Sequence, residues 1–153
     1  MKEIIIRKAA SRDLPALLEF ERGIISTERP FDDTLKEGEI HYYDLAAMIG
    51  ADDVQILVAE CDGKLVGSGY ARIEPAKDYL KYRRYAYLGF MYVRPQFRGR
   101  GVNKMIVEGL KQWCLEKNIN EMRLEVYGEN LPAVKAYEKA GFKSLLTWMR
   151  MGW

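Results

Sequence analysis

The feature of this sequence that most limits its fold is a nearly continuous apolar run, Tyr85 to Val93. It stops at Pro95 and passes through Gln96-Phe97-Arg98-Gly99-Arg100-Gly101 into an amphipathic stretch. A run of that length predicts a central strand covered on both faces rather than a strand with one wet face. Beyond Gly101, Met105, Ile106, Leu110, Trp113 and Cys114 recur at helical spacing, with Lys104, Glu108, Lys111 and Gln112 on the other side. Two glycines therefore stand where a strand turns into a helix. Such a junction suits an anion: glycine lets the backbone approach closely, the first N–H groups of a helix lack internal partners, and the helix dipole favours negative charge there. Arg98, Arg100 and Lys104 add positive charge. By itself the spacing fits equally a tight turn that only starts a helix. Two familiar phosphate loops do not match. A P-loop needs GxxxxGKS or GxxxxGKT, and the dinucleotide fingerprint GxGxxG finds a lysine, Lys104, where its third glycine should pack. The pair Gly67 and Gly69 lies inside a strand-like run with no helix after it.

The rest of the chain predicts a mixed α/β domain around that unit. Lys2 to Lys8 is an isoleucine-rich strand, and Ser11 offers a cap to a helix bearing Leu14, Leu17, Leu18, Ile24 and Ile25. A polar segment, Thr27 to Gly38, leads to a second helix expected over Ile40 to Ile49. Gln55 to Glu60 and Leu65 to Ile73 read as antiparallel strands joined at Asp62-Gly63, which supplies the positive φ angles of a tight hairpin turn. Glu74 to Arg84 connects to the central strand. Glu121 to Tyr127 alternates like a strand, Asn130 and Pro132 mark a helix start, and that helix stops at Gly141. Phe142 to Met151 is expected as a last strand, which gives the order βααβββαβαβ. Trp113 and Trp148 are expected in the core.

Composition closes off other classes. With 153 residues, one domain over residues 1–153 is expected, large enough for a core without staples. Hydrophobic residues at 48% and charged residues at 30% are a globular balance, and a net charge of +2 is too small to imply a nucleic-acid partner. Cys61, Cys114 and the lone His41 are dispersed in sequence, so neither a disulfide nor a metal site is expected. No apolar stretch is long enough to span a bilayer, so no membrane partner and a cytoplasmic location are expected.

The pattern Gln96-x-x-Gly99-x-Gly101 after a strand resembles the acetyl-coenzyme A loop of the GCN5-related N-acetyltransferase (GNAT) family. Asn130, the helix bearing Ala133 and Tyr137, and then Gly141-Phe142 resemble that family's other signature. The element order matches as well, so the resemblance covers essentially the whole chain and is strongest from Tyr87 to Phe142. It implies a mixed, mostly antiparallel sheet flanked by helices, with two central strands splayed to hold the pantetheine arm. It implies acetyl-coenzyme A as acyl donor and an amine as acceptor. Met91, Tyr92 and Val93 would line the arm. The backbone of Arg98, Gly99, Arg100, Gly101, Val102 and Asn103 would hold the pyrophosphate, and Asn130 would contact the cofactor's amide region.

By the same resemblance Tyr137, near the cofactor, is the general acid for the departing thiolate. With a tyrosine near ~10 and a thiol near ~8.5, that transfer is uphill by roughly 2 kcal/mol before any tuning. Many family members carry a basic carboxylate on the central strand, and this chain has none between Tyr85 and Val93. Glu125 is the replacement, and strand alternation turns it to the cleft while Leu124 and Val126 enter the core. Glu28, Asp32 and Asp33 are further carboxylates within possible reach. The acceptor is expected to be the primary amine of a small molecule or of a peptide N-terminus. An α-amine near ~8 costs only ~1–1.5 kcal/mol to deprotonate, against about 4–5 for a lysine-like amine. The alternative is a module that binds coenzyme A without catalysis. Trp153 can pack on a second subunit, which leaves a homodimer open.

Overall fold

The computed structural model describes residues 2–153. Its sheet has five strands in the spatial order β1 (Ile4–Lys8), β2 (Val54–Cys61), β3 (Lys64–Pro75), β4 (Arg84–Val93) and β5 (Met122–Arg123). The first three pairings are antiparallel, and β4 with β5 is parallel. The helices are α1 (Leu14–Glu28), α2 (Leu45–Ile49), α3 (Val102–Glu116) and α4 (Leu131–Lys139). This is the mixed, mostly antiparallel α/β architecture expected.

Side-chain alternation divides the core into two layers. On one face of the sheet, Leu57, Ala59, Ala71, Ala86 and Leu88 meet Ile106, Leu110 and Trp113 of α3. On the other, Ile56, Val58 and Tyr70 meet Leu17, Phe20 and Ile24 of α1 and Leu45 of α2. In β4 the alternation changes phase. Ala86 and Leu88 face α3, yet Phe90 faces α1 and Met91 and Val93 return to the α3 side. An inserted residue explains this: Ser68 pairs with Tyr92 and Tyr70 with Gly89, so Phe90 and Met91 stand opposite Gly69 alone. Phe90 sits at φ 57°, an outlier for a bulky side chain. The buried Ser68 hydroxyl holds it by donating to the Phe90 carbonyl at 2.9 Å.

Three sequence expectations are corrected. The second helix begins at Leu45, not near Ile40, because residues 41–43 are fixed by a side chain of α1 described below. The strand expected over residues 121–127 joins β4 only over Glu121, Met122 and Arg123. The last strand does not form. Residues 142–153 pair with no described strand, and Trp148 is 90% exposed rather than in the core. Strand-forming side chains without a neighbouring edge do not make a sheet.

Candidate active site

Two elements of the fold open a cleft. β4 pairs with β5 only through Ala86 with Met122 and Tyr87 with Arg123, so beyond Tyr87 the β5-facing edge of β4 is unpaired while its other edge remains bonded to β3. At the end of that free edge Pro95–Phe97 makes a 3₁₀ turn, and the chain enters α3 through Gly99 at φ 78° and Gly101 at φ 80°. Both angles lie in the left-handed region that glycine occupies without a Cβ penalty. A Cβ built at either would meet nothing within 4 Å, so the loop faces open space. Gly101 is the N-cap and no side chain caps the helix, so the first N–H groups of α3 are free for a ligand. Arg98 is half committed, its Nε donating to the Val93 carbonyl at 3.0 Å, and Arg100 lies over the Phe97 ring.

The residues expected along the cofactor arm separate by face. Met91 and Val93 pack against the α3 layer. The Tyr92 ring instead stacks on Phe20 at 4.8 Å and lies against Gly23, where a Cβ would come within 2.6 Å of it. Tyr92 can therefore offer a ligand its backbone but not its ring. Val102 is buried under the loop and Asn103 is half-buried on the first turn. Asn130 caps α4 through its carbonyl, which accepts from the Val134 N–H at 3.0 Å. Its side-chain amide makes no capping bond.

Tyr137 is half-buried on α4, with its ring edge-on to Phe142. Burial, and then the charge of Glu28, push its phenol up to about 12, so it stays protonated at neutral pH. Glu125 is exposed and accepts from the Tyr87 hydroxyl at 2.9 Å. Tyr87 is raised in turn, first by burial and then by that carboxylate. Leu124 reaches the α3 layer as expected, but Val126 stays 37% exposed, because the strand that should bury it is unpaired.

Sequence reasoning did not anticipate the ring of tyrosines around these carboxylates. Glu28, at the end of α1, is half-buried, and burial raises its carboxyl against the pull of the Tyr42 hydroxyl. Tyr127 stacks on Phe31 at 5.9 Å and donates to Asp32 at 3.0 Å. Asp32 also accepts from the Thr34 hydroxyl and N–H and from Arg150, and these contacts hold it well below the usual carboxylate range. A second unforeseen residue is Glu21. It is fully buried on α1, and its carboxylate accepts from Tyr42 N–H at 2.8 Å and Tyr43 N–H at 2.9 Å, with His41 Nδ1 at 2.7 Å. Tyr43, fixed this way, packs edge-on against Tyr70 and Phe90, so Glu21 is tied through one aromatic ring to the β4 bulge. Its one advance sign was a charged residue on the apolar stripe of α1, beside Phe20 and Ile24.

Two cavities lie beside this cleft rather than in it, the first reaching Gln96 and Phe97 of its 3₁₀ turn. One, of about 680 Å³, lies between the β2–β3 hairpin and the start of α1, and the other, of about 530 Å³, between α1 and residues 38–40. Among the described residues no group of three or more His, Cys, Asp or Glu could hold a metal ion, and no helix is long and apolar enough to cross a membrane.

Residues 21–142 match the model of the acetyltransferase (GNAT) family. The chain is 28% identical over 108 residues to an aminoglycoside N(6')-acetyltransferase type 1 of Salmonella typhimurium, covering 69% of this chain and 73% of that protein. It is 28% identical over 152 residues to an N-alpha-acetyltransferase of Sulfurisphaera tokodaii, covering 94% and 83%. Its fold superposes with a TM-score of 0.71, at 19% identity, on a crystal structure of a predicted acetyltransferase with acetyl-CoA from Clostridium acetobutylicum, covering 98% of this chain and 96% of that one.

Proposed function

The chain belongs to the acetyltransferase (GNAT) family, and we propose that, as a single domain, it transfers an acetyl group from acetyl-coenzyme A to the primary amine of a small molecule or a peptide N-terminus. The observation that carries the reading is the free edge of β4 running into two left-handed glycines at an uncapped helix start. A free strand edge suits the amide-bearing pantetheine arm, and the backbone of residues 98–103 suits a pyrophosphate. The Asn130 amide, without a capping role, is available to the cofactor's amide region.

On the acceptor side Glu28, Asp32 and Glu125 stand among Tyr42, Tyr87 and Tyr127, and Asp33 reaches only Arg150. Carboxylates framed by aromatic rings suit a cationic amine. Glu125 takes the proton that the ammonium must lose, with the Tyr87 hydroxyl fixing its orientation. The neutral amine nitrogen then bonds to the thioester carbonyl carbon, the C–S bond breaks with its electron pair going to sulfur, Tyr137 hydrogen-bonds the departing thiolate, and the further proton that the new amide nitrogen loses ends on that sulfur, by way of Tyr137 or of solvent. A phenol near 12 against a thiol near ~8.5 makes full transfer uphill by roughly 5 kcal/mol. Tyr137 therefore acts mainly by donating a strong hydrogen bond while charge develops on sulfur. Glu28, whose carboxyl burial raises above its usual range, is the second candidate for the proton acceptor.

Incubating the chain with acetyl-coenzyme A and a panel of amines, and following free thiol, tests the proposal. Amine-dependent thiol release is expected. Cofactor binding with no release from any amine would favour a non-catalytic coenzyme A module, a reading that draws on the absence of a carboxylate in β4.

A further inference from the structure

The cavity of about 680 Å³ beside the cleft takes no part in the chemistry proposed above. Stretches far apart in sequence meet around it: Lys2 before β1, Arg12 in the turn before α1, the β2–β3 hairpin, and Gln96 and Phe97 beyond β4. Its deeper lining is apolar, with Cys61, Leu65 and Val66 each more than nine-tenths buried. Its charged lining is cationic on balance, since Lys2, Arg12, Lys64 and Arg94 stand against Asp13 and Asp62. Both carboxylates are already engaged. Asp62 pairs with Lys2 at 2.7 Å, and the buried Asp13 accepts from Arg7 at 2.8 and 2.9 Å and from the Ala10 N–H at 2.7 Å. Arg94 is engaged as well, donating to Glu19 at 2.9 Å and to the Leu65 carbonyl at 2.8 Å. Arg12 and Lys64, from two different walls, have no acidic partner among the described residues.

We propose that this cavity is a second binding site, separate from the cofactor cleft, for an organic phosphate monoester: a dianionic head on a small apolar body. Two unpaired cations at one cavity favour an anion, and a single head of two charges answers both. The planar arginine fork matches a pair of phosphate oxygens, and the lysine ammonium adds a compact point charge. Asp13 and Asp62 do not oppose the head, because Arg7 and Lys2 neutralise them in place. The apolar lining decides against a bare ion. Sites for small organic ligands run to about 300–1,000 Å³ and are mostly apolar with a few placed polar groups, a description this cavity meets. Inorganic phosphate would leave Cys61, Leu65 and Val66 uncovered. The site shares Gln96 and Phe97 with the turn that leads to the cofactor loop, yet none of residues 98–103 lines it. The two ligands can therefore be held at once.

Titration calorimetry with phenyl phosphate tests this apart from catalysis. At a pH of about 7.5 the probe is a dianion, since its second pKa lies near ~6. The full chain is first saturated with coenzyme A, which fills the anion seat at the start of α3. If coenzyme A itself fails to bind, the same titration of the free chain still reads the site through the variant below. One equivalent of phenyl phosphate should bind with a dissociation constant on the order of 0.1 mM, a level open to a ligand of this size. The double variant R12Q/K64Q should weaken binding at least tenfold, with coenzyme A affinity and far-UV circular dichroism unchanged, since both side chains are exposed. Phenyl sulfate, with one charge, and inorganic phosphate, with no apolar body, should each bind at least tenfold more weakly. No binding at about 5 mM would overturn the proposal. So would mutual displacement of phenyl phosphate and coenzyme A, or an affinity untouched by R12Q/K64Q. Inorganic phosphate held as tightly as phenyl phosphate would mean an adventitious ion only, and would overturn it too.

Discussion

The two sides of the cleft are built from different materials. The cofactor side is continuous: β4 is bonded to β3, and α3 seals the sheet with Ile106 and Leu110 fully buried. Exposure is concentrated in its loop, at Gln96 and from Arg98 to Gly101. The acceptor side is assembled from residues 28–43, the unpaired chain after β5 and residues 143–153, joined by side-chain bonds such as Tyr127 to Asp32, Arg150 to Asp32 and Glu21 to the Tyr42 and Tyr43 N–H groups. Backbone ladders and a packed core define one shape whatever the ligand. Side-chain ties between loops can be rewritten by a few substitutions, which suits the half that must choose an amine.

The change expected to break this contrast most sharply is Gly101→Glu. It puts a side chain at φ 80° and a negative charge at the start of α3, where an anion is to bind. Coenzyme A affinity measured by titration calorimetry should fall by roughly 100-fold or more, while stability should fall by only about 1–2 kcal/mol from the left-handed backbone, since no described atom clashes with the new Cβ. Tyr137→Phe comes next. Turnover should drop by about 100-fold at nearly constant coenzyme A affinity, the loss of a hydrogen bond made only as charge develops on sulfur. An unchanged rate would remove the tyrosine from the chemistry.

Glu125→Gln should have a smaller effect that depends on the amine. Thiol release should slow about tenfold for an α-amine and more for a lysine-like amine, whose deprotonation is costlier. If Glu28→Gln gives the larger loss, the two carboxylates exchange roles. The smallest effect is expected at His41. The Glu21 carboxylate raises its pKa, so the contact stabilises residues 38–43 fully below the unfolded value near ~6.5 and fades as pH rises through the folded value above it. Hydrogen exchange in that segment should quicken across this window, and His41→Gln should abolish the pH dependence.

The same contrast governs what could be read from the residues alone. The apolar run over 85–93, the glycines and the periodicity of α3 are local signals, and the structure keeps all three. The β4 bulge was hidden, since Phe90 fits the apolar run whichever way it faces. Residues 40–43 looked helical because the tie that holds His41, Tyr42 and Tyr43 comes from Glu21, some twenty positions away. Leu124 to Tyr127 and residues 143–153 carry strand-forming side chains. Strand formation also needs a paired neighbour, which neither segment has among the described residues.

The central claim is that a preformed cradle for the acyl donor runs from the free edge of β4 into the start of α3. Amide hydrogen exchange of the whole chain with and without coenzyme A tests it most directly. Protection is expected at residues 91–93 and 98–104, with exchange at 29–43 and 124–127 unchanged until an amine is added. Protection confined to the acceptor-side segments, or none at the α3 start under saturating coenzyme A, would contradict the account.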